Sequence, residues 1–225
     1  MVPIEKAASP PLNRGLSLAE FAVGVVLVIG HNVFRVIPNE VPILFVLGLV
    51  SVRLREGGWA ALGLQRPSSW TITVLFAVAA TIIKIVLELF VINPATARFW
   101  PAEIAPAGAD RVVHNLSAAL IALLISWTFA AFGEEIGYRG YLTKRAADLG
   151  RGSLPAWWAA TVAVSVLFGF GHYYKGPAGI LDSAVSGLVL GSVYLLSRRN
   201  LWTAILAHGF LDTVAVVYTY LGLNS

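Results

Sequence analysis

Residues 201–221 read LWTAILAHGFLDTVAVVYTYL. As an α-helix this stretch rises about 31 Å at 1.5 Å per residue, close to the ~30 Å thickness of a bilayer's hydrocarbon core. Apart from its tyrosines, it carries only two ionisable side chains, His208 and Asp212. A surface helix of a soluble protein would show a polar stripe along its length, and this one has none. The stretch therefore reads as a membrane span. The composition of the chain says the same. Apolar residues make up 57% and charged residues 12% of the 225, against about 25% charged in soluble domains. Mean hydropathy is +0.76. A water-soluble globule and a disordered chain are both excluded as leading readings. The chain has no cysteine, which excludes disulfides and thiol nucleophiles. In such a chain the net charge of +4 points to cation-rich cytoplasmic loops and not to nucleic acid.

Six more apolar runs precede this one: Leu18–Ile37, Val41–Val52, Thr71–Ile92, Val112–Phe132, Pro155–Phe170 and Pro177–Leu196. The expected fold is an all-α, polytopic transmembrane helix bundle of about seven spans. Residues 1–17 read as a flexible polar tail, 18–110 as amino-terminal transmembrane helices and 111–225 as the bundle that carries the chemistry. The first run lacks a cleavage pattern at its end, so it reads as a retained helix. With the N-terminus in the cytoplasm, ten cations fall on the cytoplasmic side, Arg53, Lys144, Arg145, Arg198 and Arg199 among them. Four fall opposite: Arg35, Arg98, Arg111 and Lys175. This bias fits the positive-inside rule and a multi-pass protein of the plasma membrane.

Ionisable groups inside spans are costly and mark function by default. Here they gather in the second half of the chain. Gly133-Glu134-Glu135-Ile136-Gly137-Tyr138-Arg139 closes the fourth run, His172 ends the fifth, and His208 and Asp212 lie in the seventh. Glu135 and Arg139 are four apart and face each other across one turn. Glu134, rotated about 100° away, is expected to point elsewhere in the bundle. His208 and Asp212 share one helix face, as do Phe168 and His172. Each feature has a plainer reading. Glu135–Arg139 could be an interfacial clasp, His172 part of an aromatic belt with Tyr173 and Tyr174, and His208–Asp212 a helix–helix contact. Lys84 and Glu88 read as a satisfied buried pair, His31 as interfacial, and Asp182 is unassigned. Simple threading leaves Glu134 and His208 about 12 Å from the cytoplasmic face but His172 roughly 25 Å across. The three meet only if the fifth helix begins outside the bilayer or the Tyr173–Gly176 turn is submerged, and a submerged turn is the expectation.

Glu134-Glu135-x-x-x-Arg139, Phe168-x-x-x-His172 and His208-x-x-x-Asp212 resemble the three motifs of the CPBP family, which comprises CAAX prenyl endopeptidases and bacteriocin-processing or immunity proteins. Leu62-Gly-Leu-Gln-Arg-Pro67 resembles the segment before the family's core. The resemblance covers roughly residues 115–215. It implies an intramembrane endopeptidase in which Glu134 activates a water, His172 holds that water or the glutamate, and His208 stabilises the oxyanion. The fourth motif position is usually Asn. Asp212 stands there, and a carboxylate has no N–H to donate, so it serves the oxyanion only if it is protonated or orients His208, and an Asp suits a metal site better. Glu134, His172, His208 and Asp212 also form a potential ligand set for Zn²⁺, and a metal-free glutamate mechanism is equally open. The implied partners are the lipid bilayer and a peptide or protein substrate, for which a prenylated C-terminal tail is one candidate. Rival readings are a non-catalytic immunity-type membrane protein and a proton-coupled transporter. There is no H-E-x-x-H, and a Ser186–His208 dyad lacks its G-x-S-G setting.

Overall fold

The structure, a computed structural model, describes residues 13–100 and 108–223. Among these residues it is helical, with no strand. Seven long helices carry it: α1 (Arg14–Asn32), α2 (Glu40–Glu56), α3 (Trp70–Thr96), α4 (Leu116–Leu149), α5 (Leu154–Phe170), α6 (Gly176–Leu196) and α7 (Leu201–Tyr220). Five of them start where a short polar side chain closes the first turn. Asn13, Asn39, Ser69, Asn115 and Asn200 each accept a backbone N–H of the helix they precede. Such a cap is worth about 1 kcal/mol. α5 and α6 instead begin with proline in the first turn, where its missing N–H costs nothing.

Helix α1 starts at Arg14, before the expected Leu18, because Asn13 caps it there. Of the proposed polar tail, residues 1–12 lie outside the described residues, as do residues 101–107 of the linker before α4. The short second run is lengthened by its flanks to 17 residues. The fourth run continues well past Phe132, to Leu149. Five helical stretches are long and apolar enough to cross a membrane: α1, α3, α4, α6 with its preceding turn, and α7. The expected count of about seven is not confirmed: among the described residues α2 and α5, at 17 residues each, sit at the short limit for a span.

Side-chain register fixes the directions. On α2, Val41, Leu44 and Gly48 meet Gly133, Gly137 and Tyr141 of α4 in turn, so these two helices run parallel. Ser17 of α1 bonds Asp148 at the far end of α4, so α1 runs the other way. On α7, Leu201, His208 and Thr213 meet Gly140, Glu135 and Trp127, which makes α7 antiparallel to α4. Thr73 and Thr81 of α3 reach Asn200 and the Ala207 carbonyl, so α3 runs beside α7 in the same direction.

α4 is thus enclosed by α1, α2 and α7. Lipid is as apolar as leucine, so close approach and packing hold such helices together where water exclusion would hold a soluble core. Gly133 and Gly137 provide that approach. A Cβ at Gly137 would stand 3.1 Å from Leu44 Cβ, and one at Gly133 would stand 3.2 Å from Val41 Cγ1. The enclosed core includes Leu44, Leu62, Ile136, Tyr138, Tyr141, Phe168, Tyr194 and Leu201, all buried. Outward faces of α3 and α4 expose Ile82, Phe90, Leu120, Leu124 and Phe129.

One end of the bundle is locked by a buried ion network. Arg145 of α4, fully buried, bonds Glu56 at 2.7 Å, Ser51 at 2.7 Å and Asp148 at 3.1 Å, and also pairs with Glu20. Arg55 joins Glu20 at 2.9 Å and Ser17 at 2.8 Å. The network ties α1 and α2 to the last turns of α4. In the other half of the bundle, Lys84 pairs with Glu88 at 2.6 Å, as its spacing suggests. It also reaches Asp182 of α6 at 2.9 Å, which supplies the partner that Asp182 lacked in the sequence. His31 bonds the Ile37 carbonyl at 2.9 Å and faces Glu40.

Candidate active site

Residues Ser126–Leu142 of α4 wind as a π-helix. Its wider turn closes i→i+5 bonds, as from the Thr143 N–H to the Tyr138 carbonyl. Each residue is then rotated less than in an α-helix, and such segments recur at functional sites. Glu134 and Glu135 are therefore turned apart by somewhat less than the 100° of an α-helix. Glu134 feels the charges of His208, Asp212, Glu135 and Arg139. Glu135 meets Arg139 and His208, and Glu134 shares neither bond.

Glu135 is the anchor. Its Oε1 accepts from Arg139 Nη1 at 2.8 Å, the predicted turn-to-turn pair, and from His208 Nδ1 at 2.8 Å. Glu135 and Arg139 are buried, and His208 is nearly so. Buried charges persist only with partners of this quality, and removing one partner typically costs 3–5 kcal/mol. Asp212 Oδ2 lies 3.7 Å from His208 Nε2 and faces Ser126 and Lys175 as well. Each ring nitrogen of His208 thus looks at a carboxylate. Glu134 differs from its neighbour. It makes no hydrogen bond to any described residue; its Oε2 is buried and unpartnered, and the same holds for Glu135 Oε2 and Arg139 Nη2.

Phe168 joins the two histidines. Its ring centroid is 4.7 Å from that of His172 and 6.2 Å from that of His208, and the Arg139 guanidinium lies 4.2 Å over its face. Tyr138 meets the same ring edge-on at 5.0 Å. His172 Nδ1 bonds the Phe168 carbonyl at 3.0 Å. A carbonyl only accepts, so Nδ1 carries the proton and Nε2 presents a lone pair.

The expected mismatch in depth does not arise. Leu201, where α7 starts, lies level with Gly140, while α4 runs on to Leu149, nine residues or about 13 Å lower. Gly150 rests against Ala156, so α5 starts from that lower level. It then climbs to Phe168 beside His208. From His208 α7 continues to Tyr220, about 18 Å further. The α5–α6 turn therefore lies beside the middle of α7.

The structure thus brings Arg139, His172 and His208 onto Phe168 and sets Glu135 and Asp212 against His208, with Glu134 next to Glu135 on α4. It does not arrange the proposed Zn²⁺ ligands. Among the described residues no three His, Asp or Glu side chains are grouped so as to hold a metal ion. His208 Nδ1 is already committed to Glu135 and His172 Nδ1 to a backbone carbonyl. Each ring keeps Nε2 clear of these bonds, but the potential ligands are not grouped as a metal site among the described residues.

Two contributors were not apparent from the sequence. Phe168 looked like a neighbour of His172 alone. Glu40, buried at the start of α2, accepts from the Tyr138 hydroxyl at 3.2 Å and from Asn32 at 2.8 Å. An acid opening an apolar run reads only as a partner of the helix dipole. Beside the site, Tyr174, whose ring is 6.1 Å from that of His172, lines a cavity of about 280 Å³ with His31, Asn32, Arg35 and Ile37.

Residues 116–214 match the family model described as Type II CAAX prenyl endopeptidase Rce1-like. This interval contains every residue of the cluster around Phe168. No curated protein and no solved structure matches the chain.

Proposed function

We propose that this chain, whose residues 116–214 place it in the CPBP/CAAX protease family, is a glutamate-type intramembrane endopeptidase. The observation that carries the reading is the unequal treatment of two adjacent acids. Glu135 is held through Oε1 by Arg139 and His208, while Glu134 makes no hydrogen bond or ion pair to any described residue and keeps a buried, unpartnered Oε2.

In this reading Glu134 takes a proton from a water that the His172 Nε2 lone pair helps to hold. The resulting hydroxide attacks the scissile carbonyl carbon. Negative charge then gathers on the carbonyl oxygen, where donors fixed in advance contribute most. His208 supplies a donor from Nε2, since Nδ1 is spent on Glu135, and a proton carried there has Asp212 as counter-charge. Arg139 Nη2, buried and unpartnered, is a second donor in the same cluster. The C–N bond breaks as Glu134 returns its proton to the leaving amine. Asp212 is a positioning residue, which answers why a carboxylate stands where the family pattern has an amide.

The substrate in this reading is a peptide or protein tail at the membrane, with a prenylated C-terminal tail as the first to test. The cation-rich end, with Arg53, Arg55, Arg145, Arg198 and Arg199, faces the cytoplasm. Purified protein in liposomes should cleave such a tail, and Glu134→Gln should lower turnover by about 10²–10⁴ while the protein melts as before. Near-normal cleavage by Glu134→Gln, or by His208→Ala, would remove the assignment. Transport of a solute without any proteolysis would favour a carrier instead.

A further inference from the structure

The opposite end of the bundle holds a second cavity, of about 170 Å³, between α4, the α6–α7 turn and the short helix at residues 59–62. Lys144, Arg198, Arg199, Gln65 and Gly63 line it together with Ala60 and Ala61. Three lining residues are cations and none is an acid. Lys144 reaches Glu56 and Asp148 only at 3.5 and 3.6 Å, and both carboxylates lie closer to Arg145, at 2.7 and 3.1 Å. Arg199 stacks over Trp157 at 4.9 Å, a contact that uses the guanidinium face and leaves its N–H edge for an acceptor. Arg198 has no acidic partner among the described residues.

The backbone is unusual at the same place. Arg198 and Arg199 both have φ of 60°. A left-handed conformation costs a side-chain-bearing residue roughly 1–2 kcal/mol, and helix ends of this shape ordinarily take glycine. Here the turn is fixed by Arg199 N–H to the Tyr194 carbonyl at 2.8 Å and Leu201 N–H to the Gly63 carbonyl at 3.1 Å. Two adjacent arginines are held in a strained turn, aimed at a cavity that contains no counter-charge.

We propose that this cavity binds the phosphate of an anionic phospholipid headgroup. At about 30 Å³ per water, 170 Å³ accommodates a phosphate group. Arginine edges and a lysine ammonium are the donors that phosphate prefers. The surroundings select a lipid over a free anion. Exposed Trp59 adjoins the cavity, and exposed Trp70 packs on Trp202 at 5.8 Å at the start of α3 and α7. Tryptophans at helix ends sit at headgroup depth, and basic pockets between helix ends at that depth bind phosphate headgroups.

The test measures lipid binding to the purified protein in mixed micelles, with phosphatidylglycerol, phosphatidylcholine or inorganic phosphate as the probe. Phosphatidylglycerol should bind in preference to phosphatidylcholine. The double variant Arg198→Gly, Arg199→Gly relieves the backbone and removes the charges. It should lose roughly 30-fold in phosphatidylglycerol affinity. The pair Arg53→Gln, Arg66→Gln removes as much charge from the same end outside the cavity and should leave binding within about threefold. Should the glycine pair not purify folded, Arg198→Gln with Arg199→Gln replaces it. Equal loss in both pairs would assign the preference to diffuse surface charge and overturn the site. Full competition by millimolar inorganic phosphate, or equal binding of the two lipids, would overturn the lipid assignment.

Discussion

Two buried charge clusters sit on α4 about two turns apart. Around Arg145 three carboxylates and a hydroxyl close on one guanidinium, and the neighbouring Ser17 and Arg55 complete the ring. Around Glu135 the order is inverted, since one carboxylate is held by one arginine and one imidazole, with a second acid left over beside it. The first cluster joins α1, α2 and α4 and has no reason to do more. The second joins α4 to α7 and leaves Glu134 Oε2, Glu135 Oε2 and Arg139 Nη2 buried and unspent. A buried polar atom without a partner costs about 1–3 kcal/mol. The difference teaches how to tell a brace from a workplace when both are made of the same residue types.

The sharpest way to break this contrast is Arg145→Ala. It should destabilise the protein by about 3–5 kcal/mol, because buried Asp148 and half-buried Glu20 and Glu56 lose the cation they share. Cleavage per folded molecule should hardly change, and thermal unfolding in detergent followed by activity of the folded fraction measures both. A large loss of turnover without loss of stability would show that the two clusters are one unit.

Next in size is Glu135→Gln. It weakens two charge-assisted bonds and should cost about 2–3 kcal/mol of stability and most of the activity. Paired with Arg139→Met, the losses should be clearly less than additive, and strict additivity in a double-mutant cycle would deny the coupling.

Phe168→Leu tests the hub. A swap that keeps much of the apolar volume should cost about 1–1.5 kcal/mol. Because the ring separates His172 from His208, kcat should fall by more than the folded fraction does, with KM little changed. An unaltered kcat would make Phe168 mere packing.

The smallest expected effect is at Lys84. Glu88, with a side chain 40% exposed, should tolerate Gln at a cost below about 1 kcal/mol. Asp182→Asn, at the more enclosed side of the same lysine, should cost more. Equal costs in a denaturation series would show that Lys84 does not discriminate between them.

Much of this was legible in the chain itself. Apolar runs of span length settle helix over sheet, since a backbone in lipid must satisfy its own hydrogen bonds. The four-residue spacings of Glu135–Arg139 and Lys84–Glu88 became real pairs because a single helical turn decides them. Boundaries were less legible. The cap at Asn13 moved the start of α1, and α4 ran on to Leu149 although its last turns are polar, because α1, α2 and α5 enclose them.

The sequence by itself determined a helical membrane protein with its ionisable groups concentrated in residues 134–212 and a family resemblance there. Only the tertiary structure decided which acid is anchored by bonds and which makes none. That choice rests on π-winding of α4 and on the offset start of α5, which bring Glu135, Phe168 and His208 to one level. Neither is encoded in local spacing, because both follow from how far neighbouring helices slide along one another before their side chains lock.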